Sequence, residues 1–226
     1  MANVLFKQII LMFLLMVIGY LLYRTKKISI QGNKELGTIL IYVILPASIL
    51  KSYLTEFTKE KMIALLISLI AAVLSLALAI AVSRLAFGKK KKIEHFGAAF
   101  SNAGFIGIPL VKKAVGGDAV FYIAAFVALL NILQWTYGVY IMSESREAIS
   151  IKKILTNPVV LALLFGLGIF TLQIQIPGIF VDVFELVGNM TAPVAMITLG
   201  VYLAQTPLKE MLTEKSTYIC SLCRLL

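Results

Sequence analysis

The chain has 226 residues, is 60% hydrophobic and 14% charged, and has a mean hydropathy of +0.96, whereas about 25% of an ordinary soluble domain is charged. That much apolar surface cannot be buried inside one water-facing globule of 24.8 kDa, so a soluble domain is excluded and lipid must be part of the solvent. Two cysteines are too few for a disulfide scaffold. The formal charge of +10 takes its meaning from where the 21 Lys and Arg residues lie.

A hydrocarbon core about 30 Å thick is crossed by a helix of about 20 apolar residues. Seven blocks of this kind are bounded by charge: Val4 to Tyr23, Leu36 to Tyr53, Met62 to Phe87, Phe96 to Val115, Ala119 to Met142, Pro158 to Ile176 and Leu186 to Thr206. The expected fold class is an all-α integral membrane protein, a multi-pass helical bundle. The first block is not read as a cleaved leader, because Lys7 lies in its opening turn and no small-residue cleavage site follows Tyr23. Every connector is short, which leaves no room for a soluble domain between spans. An eighth apolar stretch, Ser216 to Leu226, is too short to span.

Basic residues alternate between the two sides. Connectors one, three, five and seven hold Arg24, Lys26, Lys27, Lys34, the run Lys89 to Lys92, Arg146, Lys152, Lys153, Lys209 and Lys215, which is 13 in all; the other side holds Lys7, Lys51, Lys59, Lys61, Lys112 and Lys113. The richer side is expected in the cytoplasm, with the N-terminus outside, the Lys89 to Lys92 loop inside and the chain in the cell membrane. On charge alone the lysine run could be a nucleic-acid patch, but a solvated loop at the bilayer surface is the simpler reading, and no nucleic-acid partner is expected.

Block two contains Ile44-Leu45-Pro46-Ala47, block seven Thr191-Ala192-Pro193-Val194, and the prolines are 147 residues apart. Blocks two and seven run in opposite directions on the charge count, so a repeat built on this pair is an inverted one of five helices each. Chance coincidence of two tolerated membrane prolines is the other reading. The repeat divides the chain into 1–142 (helices 1–5), a cytoplasmic loop 143–157, and 158–226, an incomplete second repeat of helices 6 and 7 and the start of helix 8. The counterpart of Asn102 would fall at about position 249, past residue 226, and the chain is expected to be a fragment at its C-terminal end.

Block four reads Ser101-Asn102-Ala103-Gly104-Phe105-Ile106-Gly107-Ile108-Pro109. Two glycines weaken the helix, Pro109 removes a backbone donor, and Asn102 is costly in lipid unless paired. The run is expected to open the helix at membrane depth, where irregular backbone is tolerated only if buried or lining a cavity. A half-helix restarting there aims its amides and positive end at an anion. The competing reading makes Gly104 and Gly107 packing contacts and Asn102 an interhelical hydrogen-bond partner. In block five, Asn131 and Gln134 share a face beside Trp135; they either line a substrate path or make satisfied interhelical hydrogen bonds. Asn189-Met190-Thr191 matches a glycosylation acceptor but lies inside a span and is discarded.

The 11 acidic residues fall in connectors or within about two turns of a block end, so no midplane carboxylate is expected to carry a proton. His95, the only histidine, is read as a surface residue. Cys220-Ser221-Leu222-Cys223 has knuckle spacing without a second ligand pair, and neither a metal, a cofactor nor enzymatic activity is expected.

Taken together, Ile44-Leu45-Pro46-Ala47, the Ser101 to Pro109 run, Asn157-Pro158 and Thr191-Ala192-Pro193 resemble the auxin efflux carrier family of permeases, which includes bacterial malate permeases. The resemblance implies ten helices in two inverted repeats, with helices four and nine broken and crossing at the substrate site. Helices 1, 2, 6 and 7 would form a scaffold that pairs two copies into a homodimer, with Pro46 and Pro193 as its helix breaks, and the remaining helices would form a moving transport domain. Substrates would be small organic anions such as malate or auxin-like carboxylates, moved by alternating access, with Asn102, Gly104, Gly107, Pro109, Asn131 and Gln134 at the site. The departure is the absence of a second crossover within the 226 residues; the alternative is a non-transporting membrane fragment with a structural or interaction role.

Overall fold

The structure is a computed structural model and describes residues 2–88, 91–145, 147, 149–207 and 212–225. Lys89, Lys90, Arg146, Lys209 and Glu210, which enter the charge pattern, lie outside the described residues. All regular structure among the described residues is helical: α1 Ala2–Arg24, α2 Ile30–Ile39, α3 Leu45–Tyr53, α4 Lys59–Phe87, α5 Lys92–Ala99, α6 Ile108–Ala114, α7 Ala119–Leu133, α8 Val139–Ser143, α9 Ile151–Leu155, α10 Pro158–Leu172, α11 Gly178–Gly188, α12 Thr191–Ala204 and α13 Lys215–Leu225. Three π-helical turns, Leu40–Ile44, Ala103–Gly107 and Gln134–Gly138, link neighbouring segments.

Caps mark where the helices begin. The Ser29 side chain accepts from the Gly32 amide, Thr58 from Lys61, and Asn157 from Val159 and Val160 just ahead of Pro158, satisfying amides that have no partner one turn back. Along α1, α4 and α10 the sequences are largely apolar all round. Ile63, Leu66, Ile67, Ile70, Leu74 and Leu78 of α4 stay exposed, as a lipid-facing helix requires and a soluble one forbids. Five helical stretches are long and apolar enough to cross a membrane: Asn3–Arg24, Ile30–Tyr53, Lys59–Phe87, Ala119–Ser143 and Gly178–Ala204. The chain is a multi-pass helical membrane protein.

Block four is interrupted, as its residues led one to expect. The block boundaries differ most in blocks two, six and seven. Block two starts at Ile30 rather than Leu36. Block six ends at Leu172 rather than Ile176, because Gln173 turns left-handed with φ 50° and its side-chain amide donates to the Phe170 carbonyl at 2.6 Å. Block seven starts at Gly178, eight residues before Leu186; Pro177 opens the helix, and Asp182 and Glu185 ride within it. Glu185 is accommodated by a 3.0 Å ion pair to Lys51.

Pro46 and Pro193 do not break their helices. Pro46 is the second residue of α3 and Pro109 the second of α6, and each follows a five-residue π turn. Widening the preceding turn removes the clash of the ring with the carbonyl one turn back, so the helix continues past a residue with no N–H. Pro193 is the third residue of α12, just after the turn at Asn189 and Met190, where a missing donor leaves no bond unmade.

Packing produces two cores. One gathers Leu45, Ile49 and Tyr53 of α3, Leu65 and Leu76 of α4, the α7 face from Val120 to Leu130, and Val159, Ala162 and Phe170 of α10. The other gathers Met12 of α1, Leu40 and Ile44, and Ala195 and Met196 of α12. Phe105 packs against both, so the π turn that contains it lies between the cores. Helix α1 runs along α12 at a crossing tight enough that a Cβ on Gly19 would collide with the Ile197 carbonyl and one on Gly200 with the Met16 carbonyl. Glycine permits such backbone contact where no hydrophobic force drives helices together.

Candidate functional site at an interrupted helix

Helix α5 stops at Ala99. Phe100 is extended (φ −114°, ψ 116°) and Asn102 has φ −91° and ψ 60°; the helical path resumes at Ala103 and continues through α6 to Ala114. The interruption therefore occupies 100–102. Gly104 and Gly107 lie beyond it and do not make it: Gly107 has φ −65° and ψ −49°, and positive φ among the described glycines occurs only at Gly88 and Gly116. Their small size serves packing instead. A Cβ on Gly104 would come within 3.3 Å of Leu45 Cδ2 and 3.5 Å of Val127 Cγ1, while one on Gly107 would make ordinary contacts at 3.6 Å with Ala103 and Ile123.

Asn102 closes the restarting helix. Its Oδ1 accepts from the Phe105 amide at 3.3 Å, and its backbone carbonyl accepts from Ile106 at 3.1 Å. Among the described residues, the amides of Ala103 and Gly104 have no hydrogen-bond partner and are the free pair at the positive end of this segment. Both residues are buried, and Ser101 and Asn102 are half-buried. Pro109 is buried within α6 and contributes geometry, not a donor.

A cavity of about 490 Å³ borders the restarted helix. Ile106 and Leu110 form one wall, Met12 and Met16 of α1 a second, and Met196 and Leu199 of α12 a third. The walls are mainly apolar and rich in Met, a side chain that adapts to irregular guests, with Tyr202 and Thr206 as the polar members of the lining; the break itself, residues 100–102, lies one turn before Ile106 and does not line the cavity.

Helix α7 lies against the same segment, with Ile123 level with Gly107 and Val127 with Gly104. One turn further along that face is Asn131, which the register brings level with the break. Its Nδ2 donates to the Val127 carbonyl at 2.9 Å, leaving its carbonyl oxygen available. Gln134 opens the third π turn, half-buried, and its side chain makes no hydrogen bond among the described residues. The structure thus gathers Asn102, Gly104, Gly107, Pro109 and Asn131 around one interruption, while Gln134 lies about a turn beyond.

One cluster escaped the sequence reading. Asn189 accepts from Lys112 Nζ at 2.7 Å, beside the pair of Lys51 and Glu185, so the far end of α6 is tied to the turn between α11 and α12. The only signal for it was two lysines closing block four.

The family profile described as membrane transport protein matches residues 4–154 and 147–226, nearly the whole chain. The chain belongs to the auxin efflux carrier family of membrane transport proteins. A relative from Rhizobium meliloti (strain 1021), named "Putative malonate transporter", is 24% identical over 214 residues, covering 88% of this chain and 67% of that protein. Within the family setting, the interrupted helix and its bordering cavity are the features on which a transport reading has to rest.

Proposed function

We propose that the protein is a secondary carrier of small organic anions, moving them by alternating access around the interruption at 100–102. The observation that carries this reading is the pair of amides at Ala103 and Gly104 without a partner among the described residues, at the start of a restarted helix in a membrane transport family member; the cavity of about 490 Å³ is reached one turn further along, at Ile106 and Leu110. Amide dipoles bind a carboxylate without a lysine at membrane depth, and their field is strong where water is scarce. Dicarboxylates are the substrate class, supported by the relative named for malonate. Asn102 fixes the direction of the amides by capping the helix, and Asn131 faces the break. In this reading α1, α2 with α3, α10, and α11 with α12 form the scaffold that pairs two copies, α4 to α8 move, and the end bearing Lys91 and Lys92 faces the cytoplasm.

The test is uptake of radiolabelled malonate and malate by proteoliposomes containing the 226-residue chain. Saturable uptake is expected, with Asn102→Ala lowering its initial rate at least about tenfold, equivalent to ~1.4 kcal/mol. Uptake unchanged in Asn102→Ala removes the site, and absence of saturable uptake by a folded wild-type chain removes the carrier reading.

A further inference from the structure

A second cavity of about 280 Å³ lies at the other end of α5, lined by Arg84 and Gly88 at the end of α4, Lys92 and His95 of α5, Tyr137, Tyr140 and Ile141, and Glu144. It shares no lining residue with the cavity at the break. His95 is 3% exposed, against the expectation of a surface residue, and its Nε2 has no hydrogen-bond partner among the described residues. Burial drives this loss of exposure: the ring packs edge-on against Tyr137 at 5.9 Å. A buried imidazole nitrogen left unpaired on the wall of a hollow is costly unless something fills it.

The polar side chains around the hollow are donors and cations apart from one carboxylate, Glu144. Arg84 Nη1 donates to the Tyr137 hydroxyl at 3.3 Å, and no carboxylate pairs with Arg84 among the described residues. Lys92 pairs with Glu144 at 3.0 Å, and the Glu144 side chain is 66% exposed, free to swing away. With His95 neutral, Arg84, Lys92 and Glu144 leave one positive charge; protonation of His95 makes two.

We infer that this cavity binds a tetrahedral oxyanion, the chemistry shared by free phosphate or sulfate and a lipid phosphate headgroup, and that His95 takes up a proton as the anion binds. Arg84 supplies a planar guanidinium suited to such an oxyanion, Tyr137 a hydroxyl, and Nε2–H of protonated His95 the remaining donor. The proton comes from solvent and stays on the imidazole, so the incoming negative charge is matched without any covalent step. In the empty site burial holds the His95 pKa below its ordinary value of 6.5; the Gly88 carbonyl opposes this and the Arg84 charge adds to it. The titratable and charged groups around His95 are Arg84 from α4, Lys92 and Glu94 of its own helix, Tyr137, Tyr140 and Glu144 from the segment through α8, and Cys220 and Arg224 of α13, which packs on the other face of α5. An anion is the guest that reverses the burial effect, because it stabilises imidazolium where the empty cavity does not. The site stands on this geometry and not on the carrier reading.

Sulfate is the probe for the purified 226-residue chain in detergent, because it stays a dianion over the whole range and leaves the pH profile to the protein. Calorimetry is expected to show binding about tenfold tighter near about pH 5.5 than near about pH 8, with a net uptake of roughly half a proton per sulfate where His95 titrates. His95→Gln is expected to abolish both the proton uptake and the pH dependence, and Arg84→Gln to abolish binding; Tyr137→Phe, which retains the ring, is expected to weaken sulfate if Arg84→Gln fails to fold. For the lipid source, native mass spectrometry of protein from micelles doped with phosphatidic acid is expected to show one retained lipid that sulfate displaces. Retention that sulfate does not displace assigns the lipid elsewhere. No sulfate binding, or binding with the same pH profile in His95→Gln, overturns the proposal.

Discussion

At the scale of single residues, Asn102 does two jobs that substitution can separate. Its Oδ1 caps the restarting segment through the Phe105 amide, a contact worth about 1 kcal/mol. Asp retains the cap but places a negative charge beside the two free amides. Asn102→Asp is therefore expected to keep the thermal midpoint of the wild type within about 2 °C while lowering malonate uptake more than tenfold, read by differential scanning fluorimetry beside proteoliposome flux. A variant that transports normally would show that the amides face no anion. Tyr53 offers a purely structural comparison: fully buried, it donates to the Phe121 carbonyl at 3.1 Å and stacks on the Phe121 ring at 4.6 Å. Tyr53→Phe is expected to cost about 1 kcal/mol of stability in a denaturant titration and to leave transport unaffected.

At the scale of elements, Pro46 and Pro109 show how a proline-bearing helix stays whole: the π turns Leu40–Ile44 and Ala103–Gly107 spread the strain before the ring. The interruption at 100–102 has a different origin, since Phe100 and Asn102 leave helical dihedrals upstream of Gly104, Gly107 and Pro109. Pro109→Ala restores an N–H without touching the break, so it is expected to preserve the melting temperature and the extended Phe100. Its amide-exchange protection should rise over 105–110, measured by hydrogen exchange. If the break closed instead, proline and not the Asn102 cap would be its cause. The sequence showed that block four could not be one regular helix, because glycine, asparagine and proline crowd into nine residues. It did not show where the path opens. That position is set by where Asn102 finds an amide to cap and where α3 and α7 press on Gly104.

At the scale of the whole molecule, α1 and α12 meet backbone to backbone at Gly19 and Gly200, whereas Gly168 of α10 faces open space. Gly19→Ala is expected to lower stability by about 1–3 kcal/mol, because a methyl group there must displace a helix backbone. Gly168→Ala, which meets nothing, is expected to be neutral or slightly stabilising. Thermal melts of both variants in one detergent provide the comparison, and equal melts would mean that the crossing is looser than its geometry. The wider arrangement follows the same logic. Phe105 touches both cores, so the restarted helix is one of the segments that join them, as is the continuous path from Ile44 in one core to Leu45 in the other.

What the amino-acid order determined by itself was the solvent and the class of fold: apolar runs of about 20 residues between lysines cannot end anywhere but in a bilayer, as helices. It also marked Ser101 to Pro109 as the stretch that departs from regularity, since residue type alone makes those nine poor helix formers in lipid. Only the tertiary structure decided what those residues do. Whether an asparagine caps its own helix or binds a neighbour depends on which groups come within 3.5 Å, and that distance is set by packing. His95 shows the limit most sharply. A histidine next to lysines reads as solvated, yet the stacking of Tyr137 and the packing of α4 and α8 around α5 bury it, and burial is a property of neighbours that no single sequence position contains.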